Sequence, residues 1–140
     1  MIILDTNVLS ELMRPEPSPR VVAWVAKQPA TELFTTSITE AEVFYGIELL
    51  SKGKRRERLL AVAEAMFAED LADRVFGFES AAARVFSKIA AHRRALGRPI
   101  SHADAQIAAI AQARGAKLAT RNVADFGDCG LDVINPWNGL

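Results

Sequence analysis

The sequence predicts an α/β domain with a mostly parallel central sheet. Short apolar segments typical of strands alternate along the chain with helices or helix pairs, the pattern of strands joined by helical crossovers. The first segment, Ile2-Ile3-Leu4, is apolar at every position and leads directly into Asp5. Such an unbroken run is typical of a strand buried on both faces of a parallel sheet.

Capping and helix-breaking residues set the element boundaries. Asp5 or Thr6 can cap the first helix, Pro19 suits the first turn of the second, and Gly115 ends the last. After the first strand, strands are predicted over residues 32–36, 74–78, 117–120 and 131–134. Helices are predicted over residues 7–13, 19–28, 38–50, 55–68, 79–95 and 101–113.

Length and composition narrow the class of protein. A chain of 140 residues, half of them hydrophobic, suggests one domain with a substantial core. No apolar run approaches the ~20 residues of a membrane span, and Asp5 and Glu11 near the start argue against a secretory signal. Cys129 is the single cysteine, which excludes an internal disulfide and a cysteine-based zinc site. These features fit a bacterial-type cytoplasmic protein.

The charges are balanced overall but clustered locally. Seventeen basic residues match seventeen acidic ones, so the chain is not a strongly basic nucleic-acid binder as a whole. A polyanion would instead meet two basic clusters. The first contains Lys52, Lys54, Arg55, Arg56 and Arg58, and the second contains Arg93, Arg94 and Arg98 beside His92.

Asp5 has two possible roles. It can cap the first helix, where aspartate is a favoured residue. It also follows directly after a buried strand, and ligands of α/β sheets collect beyond the carboxyl ends of the strands. Further acids near this end of the sheet would favour the functional role.

Glu40 and Glu42 lie early in the helix predicted after the second strand. Glu40 completes a capping box with Ser37, which explains it structurally. Glu42 lies about 200° round the helix from Glu40, at ~100° per residue, and capping does not explain it. We therefore predict that Glu42 faces the cleft beyond the sheet and that Glu40 faces solvent.

Asp104, Asn122 and Asp125 supply further oxygen groups. Asp104 lies three residues after Ser101 in a helix first turn, where a carboxylate keeps its charge and serves a cap or a metal ligand equally well. Asn122 and Asp125 follow the fourth strand, where they could simply stabilise a turn. Asn122 occupies the position after its strand that Asp5 occupies after the first, so both reach one crevice if these strands are neighbours.

Together, these groups predict a divalent-metal site. They stand at two strand exits and two helix starts, which meet at the same end of an α/β sheet. Clustered carboxylates repel one another and are costly to bury unpaired. A hard divalent cation relieves that repulsion, and oxygen ligands are those that Mg²⁺ or Mn²⁺ takes.

Other site chemistries are less well supported. The chain lacks a Walker-type loop, a Gly-x-Gly-x-x-Gly motif and a Gly-x-Ser-x-Gly elbow. His92 and His102 do not have zinc-binding spacing. An aspartyl-phosphate phosphatase would also carry an acid after the first strand, but it usually has a second acid two residues on, where this chain has Asn7.

Four segments in order carry a family resemblance: residues 3–11 (ILDTNVLSE), 39–47 (TEAEVFYGI), 103–108 (ADAQIA) and 120–126 (TRNVADF). Their order and spacing resemble the motifs of PIN-domain ribonucleases, in particular the VapC/FitB group of toxins from bacterial toxin–antitoxin pairs. The resemblance covers essentially the whole chain. It implies a single three-layer α/β/α PIN domain over residues 1–140, with four to five strands.

The resemblance also assigns residues. Asp5, Glu42 and Asp104 match the three main acids of the family, which would bind Mg²⁺ or Mn²⁺. Asn122 stands where many relatives have aspartate, and Asp125 belongs to the Asp-Phe pair that follows, so each is a candidate for the fourth catalytic position. Asparagine can ligate a metal through its carbonyl but adds no charge. The residues expected to orient the acids are Thr6, Asn7 and Thr120.

The implied function is metal-dependent cleavage of single-stranded or structured RNA of the tRNA or rRNA class. The resemblance further implies a homodimer and inhibition by a cognate DNA-binding antitoxin. The alternative is a catalytically weak PIN module that acts mainly in an antitoxin complex on operator DNA. For the ribonuclease interpretation, the candidate RNA contacts are Lys52, Lys54, Arg55, Arg93, Arg94 and Arg98.

Overall fold

Five parallel strands form a sheet in the order β3-β2-β1-β4-β5 in the computed structural model of the chain, which describes residues 1–138. Residues 139–140, the end of the predicted domain, lie outside the described part. The strands are β1 (Ile2–Leu4), β2 (Leu33–Thr36), β3 (Val75–Phe76), β4 (Lys117–Ala119) and β5 (Val133–Ile134). At the centre of the sheet, Ile2 of β1 pairs with Leu33 of β2, and Leu4 pairs with Ala119 of β4.

The strand order creates a switch point beside β1. The chain first adds β2 and β3 on one side of β1 and then returns to add β4 and β5 on the other side. Ligands of open α/β sheets bind at such points, beyond the carboxyl ends of the strands. The first and fourth strands are therefore neighbours, which is the condition for Asp5 and Asn122 to reach one crevice.

Six helices connect the strands: α1 (Thr6–Leu12), α2 (Pro19–Lys27), α3 (Ser37–Glu48), α4 (Lys54–Ala65), α5 (Ser80–Ala95) and α6 (His102–Arg114). Pro19 begins α2, as predicted. The hydroxyl of Ser101 caps α6 by accepting from the backbone N–H of Asp104 at 3.1 Å. Gly115 ends α6 with φ 65°, in the left-handed region that favours glycine.

The helices pack as two layers on opposite faces of the sheet. Ile2 and Leu4 belong to the core that contains buried residues of α1 to α4, whereas Ile3 belongs to the core formed with α5 and α6. Alternate side chains of a strand point to opposite faces, so an apolar run such as that of β1 is buried on both. The fold is thus the predicted three-layer α/β/α arrangement.

Several predicted details differ from the structure, among them β5, which covers Val133–Ile134 where residues 131–134 were predicted. Thr36, not Ser37, caps α3, because its hydroxyl accepts from the backbone N–H of Thr39 at 3.1 Å. The edge strand β3 has two residues where residues 74–78 were predicted. The helix predicted to reach Ala68 changes after Ala65 to a wider, π-type turn over Met66–Asp70.

No helix in the described part of the chain is both long enough and apolar enough to cross a membrane.

Candidate functional site

Asp5 is a buried carboxylate at the end of β1, and both of its oxygens are hydrogen-bonded. The residue is only 4 % exposed to solvent. Oδ1 accepts from the backbone N–H of Thr6 at 2.8 Å, so Asp5 does cap α1. Oδ2 accepts from the hydroxyl of Thr120 at 2.7 Å and from the amide of Asn7 at 3.3 Å. The capping role and the functional role are therefore compatible in one side chain.

Thr120 and Asn7 join the ends of β1 and β4. The amide of Asn7 donates to the Thr120 hydroxyl oxygen at 3.1 Å, and its carbonyl accepts from the backbone N–H of Arg121 at 3.1 Å. The Thr120 oxygen also accepts from the backbone N–H of Asn122 at 3.1 Å. The two strand exits are thus held in a common hydrogen-bond network, with Asp5 at its centre.

Thr6 connects this network to α3. Its hydroxyl donates to Oε1 of Glu42 at 2.7 Å and lies 3.2 Å from the hydroxyl oxygen of Thr39. Glu42 is exposed, and its hydrogen bond from Thr6 places it on the side of the helix that faces Asp5. Glu40 instead lines a different depression, together with Glu64 and aromatic residues. Glu42 lines a cleft, as predicted, whereas Glu40, which was predicted to face solvent, is half-buried.

Asp104 approaches the same region from the first turn of α6. Burial raises the pKa of Asp104 above its ordinary range despite the hydrogen bond from Ser101, and the charges of Asp125 and Glu42 raise it further. Burial also raises the pKa of Asp5 against the hydrogen bonds from Thr120 and Thr6, with smaller contributions from Asp104 and Glu42. Such shifts show that the carboxylates from β1, α3 and α6 influence one another electrostatically.

Asn122 and Asp125 lie in the loop after β4. Asn122 precedes a 3-10 turn over Val123–Phe126, and its carbonyl accepts from the backbone N–H of Asp125 at 3.0 Å. Both side chains are exposed. Asp125 is the first acid among the neighbours that raise the pKa of Asp104. The loop therefore contributes one carboxylate to the electrostatics of the site, that of Asp125. It lies three residues beyond Asn122, the position that corresponds to Asp5.

The donor chemistry of this group fits a hard divalent cation. All of its charged members are carboxylates, and two have raised pKa values because of burial and mutual repulsion, which a cation would relieve. The arrangement is not a finished metal cluster. Within residues 1–138, no three acidic, histidine or cysteine side chains converge closely enough to hold an ion.

A cleft of about 640 Å³ extends from Glu42 along α1, α3 and α4. Its floor is apolar and includes Met13 and Ile47, and its rim carries basic side chains. These are Arg14, Lys54, Arg55 and Arg58. Lys54 and Arg55 were predicted RNA contacts, whereas Arg14 was not singled out because it stands alone among prolines in the sequence.

The remaining predicted RNA contacts divide into exposed and buried residues. Lys52, Arg94 and Arg98 are exposed, and Arg98 forms an ion pair with Asp128 at 2.9 Å. Arg93 is 5 % exposed and its guanidinium donates to backbone carbonyls. The prediction that Arg93 contacts RNA is therefore wrong, since the side chain points into the protein.

Sequence periodicity could have identified Arg93 as a buried residue. It follows Ala82 and Ile89 at helical spacing, and all three are the buried residues of α5. Another residue not singled out is Arg121, which directly follows Thr120. Its guanidinium carbon lies 5.0 Å from the ring centre of Trp137, and its side chain is exposed beside the Asp5 network.

Comparisons with known proteins agree with this geometry. Residues 2–126 match the family model described as PIN domain. The chain is 41 % identical to VapC ribonuclease Y4jK of Sinorhizobium fredii, covering 98 % of both chains. It is 36 % identical to Toxin FitB of Neisseria gonorrhoeae, covering 99 % of each chain.

Among solved structures, the chain resembles one in the structure of FitAB bound to an IR36 DNA fragment. The TM-score is 0.91 at 36 % identity, and the match covers 98 % of this chain and 96 % of that one. The chain has an α/β/α fold with acidic residues at the switch point of the sheet, and its sequence matches the family model over most of its length. The chain therefore belongs to the PIN domain family.

Proposed function

We propose that the protein is a Mg²⁺- or Mn²⁺-dependent endoribonuclease toxin that a cognate antitoxin neutralises. The observation that carries the proposal is the buried, rigidly held carboxylate of Asp5 at the sheet switch point, electrostatically coupled to Asp104 and Glu42. Two relatives with matching coverage are named as a ribonuclease and a toxin, which supports this choice among PIN-domain functions.

Asp5, Glu42 and Asp104 would hold the metal, with Asn122 or Asp125 completing the set. A divalent ion bound there would lower the pKa of a coordinated water and offset the charge of the scissile phosphate. The residues of the chain supply orientation. Thr6, Asn7 and Thr120 hold the Asp5 carboxylate in one rotamer, because both of its oxygens accept hydrogen bonds from them.

The exposed basic side chains would hold the phosphates that flank the scissile bond. Lys54 and Arg55 lie on the rim of the cleft that begins at Glu42, so RNA bound along that rim would pass the acidic site. The remaining candidates are Lys52, Arg94 and Arg98. Because such contacts displace counterions, binding should weaken steeply as salt concentration rises.

The proposed partners follow from the structural neighbours. In one of these structures, FitAB is bound to an IR36 DNA fragment. By analogy, we expect a DNA-binding antitoxin and a homodimer of this chain within the complex. The substrate would be single-stranded or structured RNA of the tRNA or rRNA class, and the activity would be cytoplasmic.

The decisive experiment is RNA cleavage with added Mn²⁺, with and without EDTA. The wild-type protein should cleave RNA, EDTA should abolish cleavage, and restored Mn²⁺ should recover it. Asp5→Asn protein, purified the same way, controls for contaminating nucleases. Cleavage that persists in EDTA, or undiminished cleavage by Asp5→Asn protein, would contradict the proposal.

One observation favours a second function, that of a catalytically weak interaction module. Asn122 brings no charge to the site, and no three ligand side chains within residues 1–138 are preassembled for an ion. Calorimetry with Mn²⁺ distinguishes the two functions. No heat of binding at millimolar Mn²⁺, combined with tight binding of the antitoxin, would favour the interaction module.

A further inference from the structure

Arg93 is a buried cation whose hydrogen bonds reach two loops. From α5, its Nε donates to the carbonyl of Arg98 at 2.8 Å. Its Nη1 donates to the carbonyl of Asp125 at 2.8 Å and to that of Gly127 at 3.1 Å. Nη1 also lies 3.7 Å from the sulfur of Cys129. A guanidinium is costly to bury unless its donors are hydrogen-bonded, and here Nε and Nη1 donate to loop backbone.

The first of the two loops leads into the helix turn that carries Asp104, and the second carries Asp125. The first, between α5 and α6, contains Arg98 and ends at Ser101, which caps the helix turn of Asp104. The second contains the 3-10 turn of Asp125. One side chain therefore joins the two segments whose carboxylates repel each other.

We propose that Arg93 is a positioning residue, which holds the Asp125 loop against the α6 N-terminus so that the carboxylates of Asp125 and Asp104 face one site. The inference deepens the proposed ribonuclease function and depends on it for its catalytic consequence. Its structural part, the clamp on the loop, stands independently.

A purely space-filling role does not account for this residue. The position continues the apolar stripe of α5 after Ile89, where an aliphatic side chain would be buried at lower cost. The guanidinium offers what an aliphatic residue lacks, a fork of donors in fixed geometry. Its positive charge also acts on Asp104, where it opposes the effect of burial and of Asp125 on the pKa.

The clamp is tested by amide hydrogen exchange on Arg93→Met protein. The reporters are the amides of Asp125, bonded to the carbonyl of Asn122, and of Gly127, bonded to that of Ala124. Both should exchange about tenfold faster than in wild type, because the loop loses buried hydrogen bonds. The matched control is Arg84→Met, an exposed arginine in the same helix. Unchanged exchange of both amides in Arg93→Met protein would overturn the clamp.

Arg93→Lys provides a second variant should Arg93→Met protein fail to fold, since lysine keeps the charge but loses the planar fork. Its loop amides should exchange at rates between those of wild type and Arg93→Met protein. Full wild-type protection in Arg93→Lys protein would show that the fork geometry is not needed and would overturn the proposed mode of action.

The link to the site is tested by Mn²⁺ titration and by steady-state kinetics. Arg93→Met should weaken Mn²⁺ binding by about tenfold or more, as expected for a residue that supports metal ligands, and should lower kcat more than it changes KM for RNA. The positioning role would be refuted if Arg93→Met protein kept the wild-type Mn²⁺ affinity although its loop amides exchanged faster. If wild-type protein neither binds Mn²⁺ nor cleaves RNA, the proposed function is wrong. The hydrogen-exchange rates of the loop amides would still test whether Arg93 holds the loop.

Discussion

The two ends of α1 each carry a buried carboxylate, and the two have opposite electrostatics. Asp5 precedes the helix and Glu11 lies in its last turn, with 4 % and 6 % exposure. Burial raises the pKa of Asp5, and the charges of Asp104 and Glu42 add to the effect. The pKa of Glu11 is instead held below its ordinary value.

The difference arises from what surrounds each carboxylate. Oε2 of Glu11 accepts from the backbone N–H of Ser18 at 2.8 Å, which is the largest cause of its lowered pKa, and Arg14 lies 3.1 Å away. Asp5 has only neutral donors and acidic neighbours. Glu11 is thus a compensated acid that holds the turn before α2, whereas the charged neighbours that act on Asp5 are acidic. A carboxyl pKa that is raised by burial and by acidic neighbours is typical of functional sites.

Asp5→Asn should produce the largest functional loss and only a small change in folding stability. Removing a buried charge that acidic neighbours repel should offset the loss of the acceptor for Thr120 and Asn7, so the metal-free melting temperature should change little. Mn²⁺ binding and RNA cleavage should fall more than about a hundredfold, because residues that merely support ligands already cost about 10–100-fold. Melting curves with and without Mn²⁺ measure both effects. A strongly lowered metal-free melting temperature would assign Asp5 a structural role like that of Glu11.

Thr120→Val should give the next largest effect. Valine keeps the shape but removes the hydroxyl that serves Asp5, Asn7 and the backbone of Asn122. We expect Mn²⁺ affinity to fall about tenfold and the free energy of unfolding to fall by about 1–2 kcal/mol.

Thr35→Val is the matched control for this change. Thr35 is also fully buried, and its hydroxyl donates to the carbonyl of Leu4 at 2.8 Å. Thr35→Val should lower the free energy of unfolding by about as much as Thr120→Val, but the protein should keep its Mn²⁺ affinity. Equal losses of Mn²⁺ affinity in the two variants would mean that Thr120 acts only through general packing.

Glu11→Gln should lower stability and leave Mn²⁺ affinity unchanged. Losing a charge-assisted bond to the Ser18 N–H should reduce the free energy of unfolding by about 2 kcal/mol at neutral pH. Because the folded-state pKa of Glu11 is lowered, its contribution is present above about pH 4.3, the ordinary glutamate value. That contribution is lost as pH falls further, through the folded-state pKa.

Denaturant unfolding of wild-type and Glu11→Gln protein between neutral pH and pH 3 measures this difference in the free energy of unfolding. Glu16→Gln, at an exposed position five residues on, should change little at any pH. A difference between wild type and Glu11→Gln that stays constant down to pH 3 would contradict the charge-based account.

Asn122→Asp should have the smallest effect and should increase function. It adds a carboxylate at the exit of β4, where Asp5 stands at the exit of β1, so Mn²⁺ affinity should rise a few-fold. Asn138→Asp, at an exposed position near the end of the described residues, controls for net charge. Unchanged affinity in Asn122→Asp protein would assign the fourth ligand position to Asp125.

Much of the fold could be predicted from local sequence signals. All five strands and six helices occur where the apolar runs, Pro19 and Gly115 predict them, with shifts of one or two residues at most ends. The edge strand β3 was overestimated because its apolar residues extend past its two paired positions. The cap of α3 was assigned one residue late because Thr36 and Ser37 are chemically equivalent candidates.

The candidate site was only partly predictable. Asp5, Glu42 and Asp104 were singled out by their places at a strand end and near helix starts, and the structure brings their charges into mutual range. Arg93 was misjudged because a run of arginines in sequence suggests a surface patch. Its helical spacing from Ala82 and Ile89 indicates burial, but its hydrogen-bond partners in the loop after β4 are placed only by the tertiary structure.

The sequence by itself determined which residues stand at the carboxyl ends of the strands, because parallel strands all end at the same edge of the sheet. It also determined that β1 is buried on both faces, since no position in Ile2–Leu4 is polar. Only the tertiary structure decided that β4 lies beside β1, so that Thr120 can hold Asp5. The main partners of Glu11, Arg14 and Ser18, are close to it in sequence. The acidic neighbours of Asp5 instead come from distant parts of the chain, because charges act over distances in space and not along the sequence.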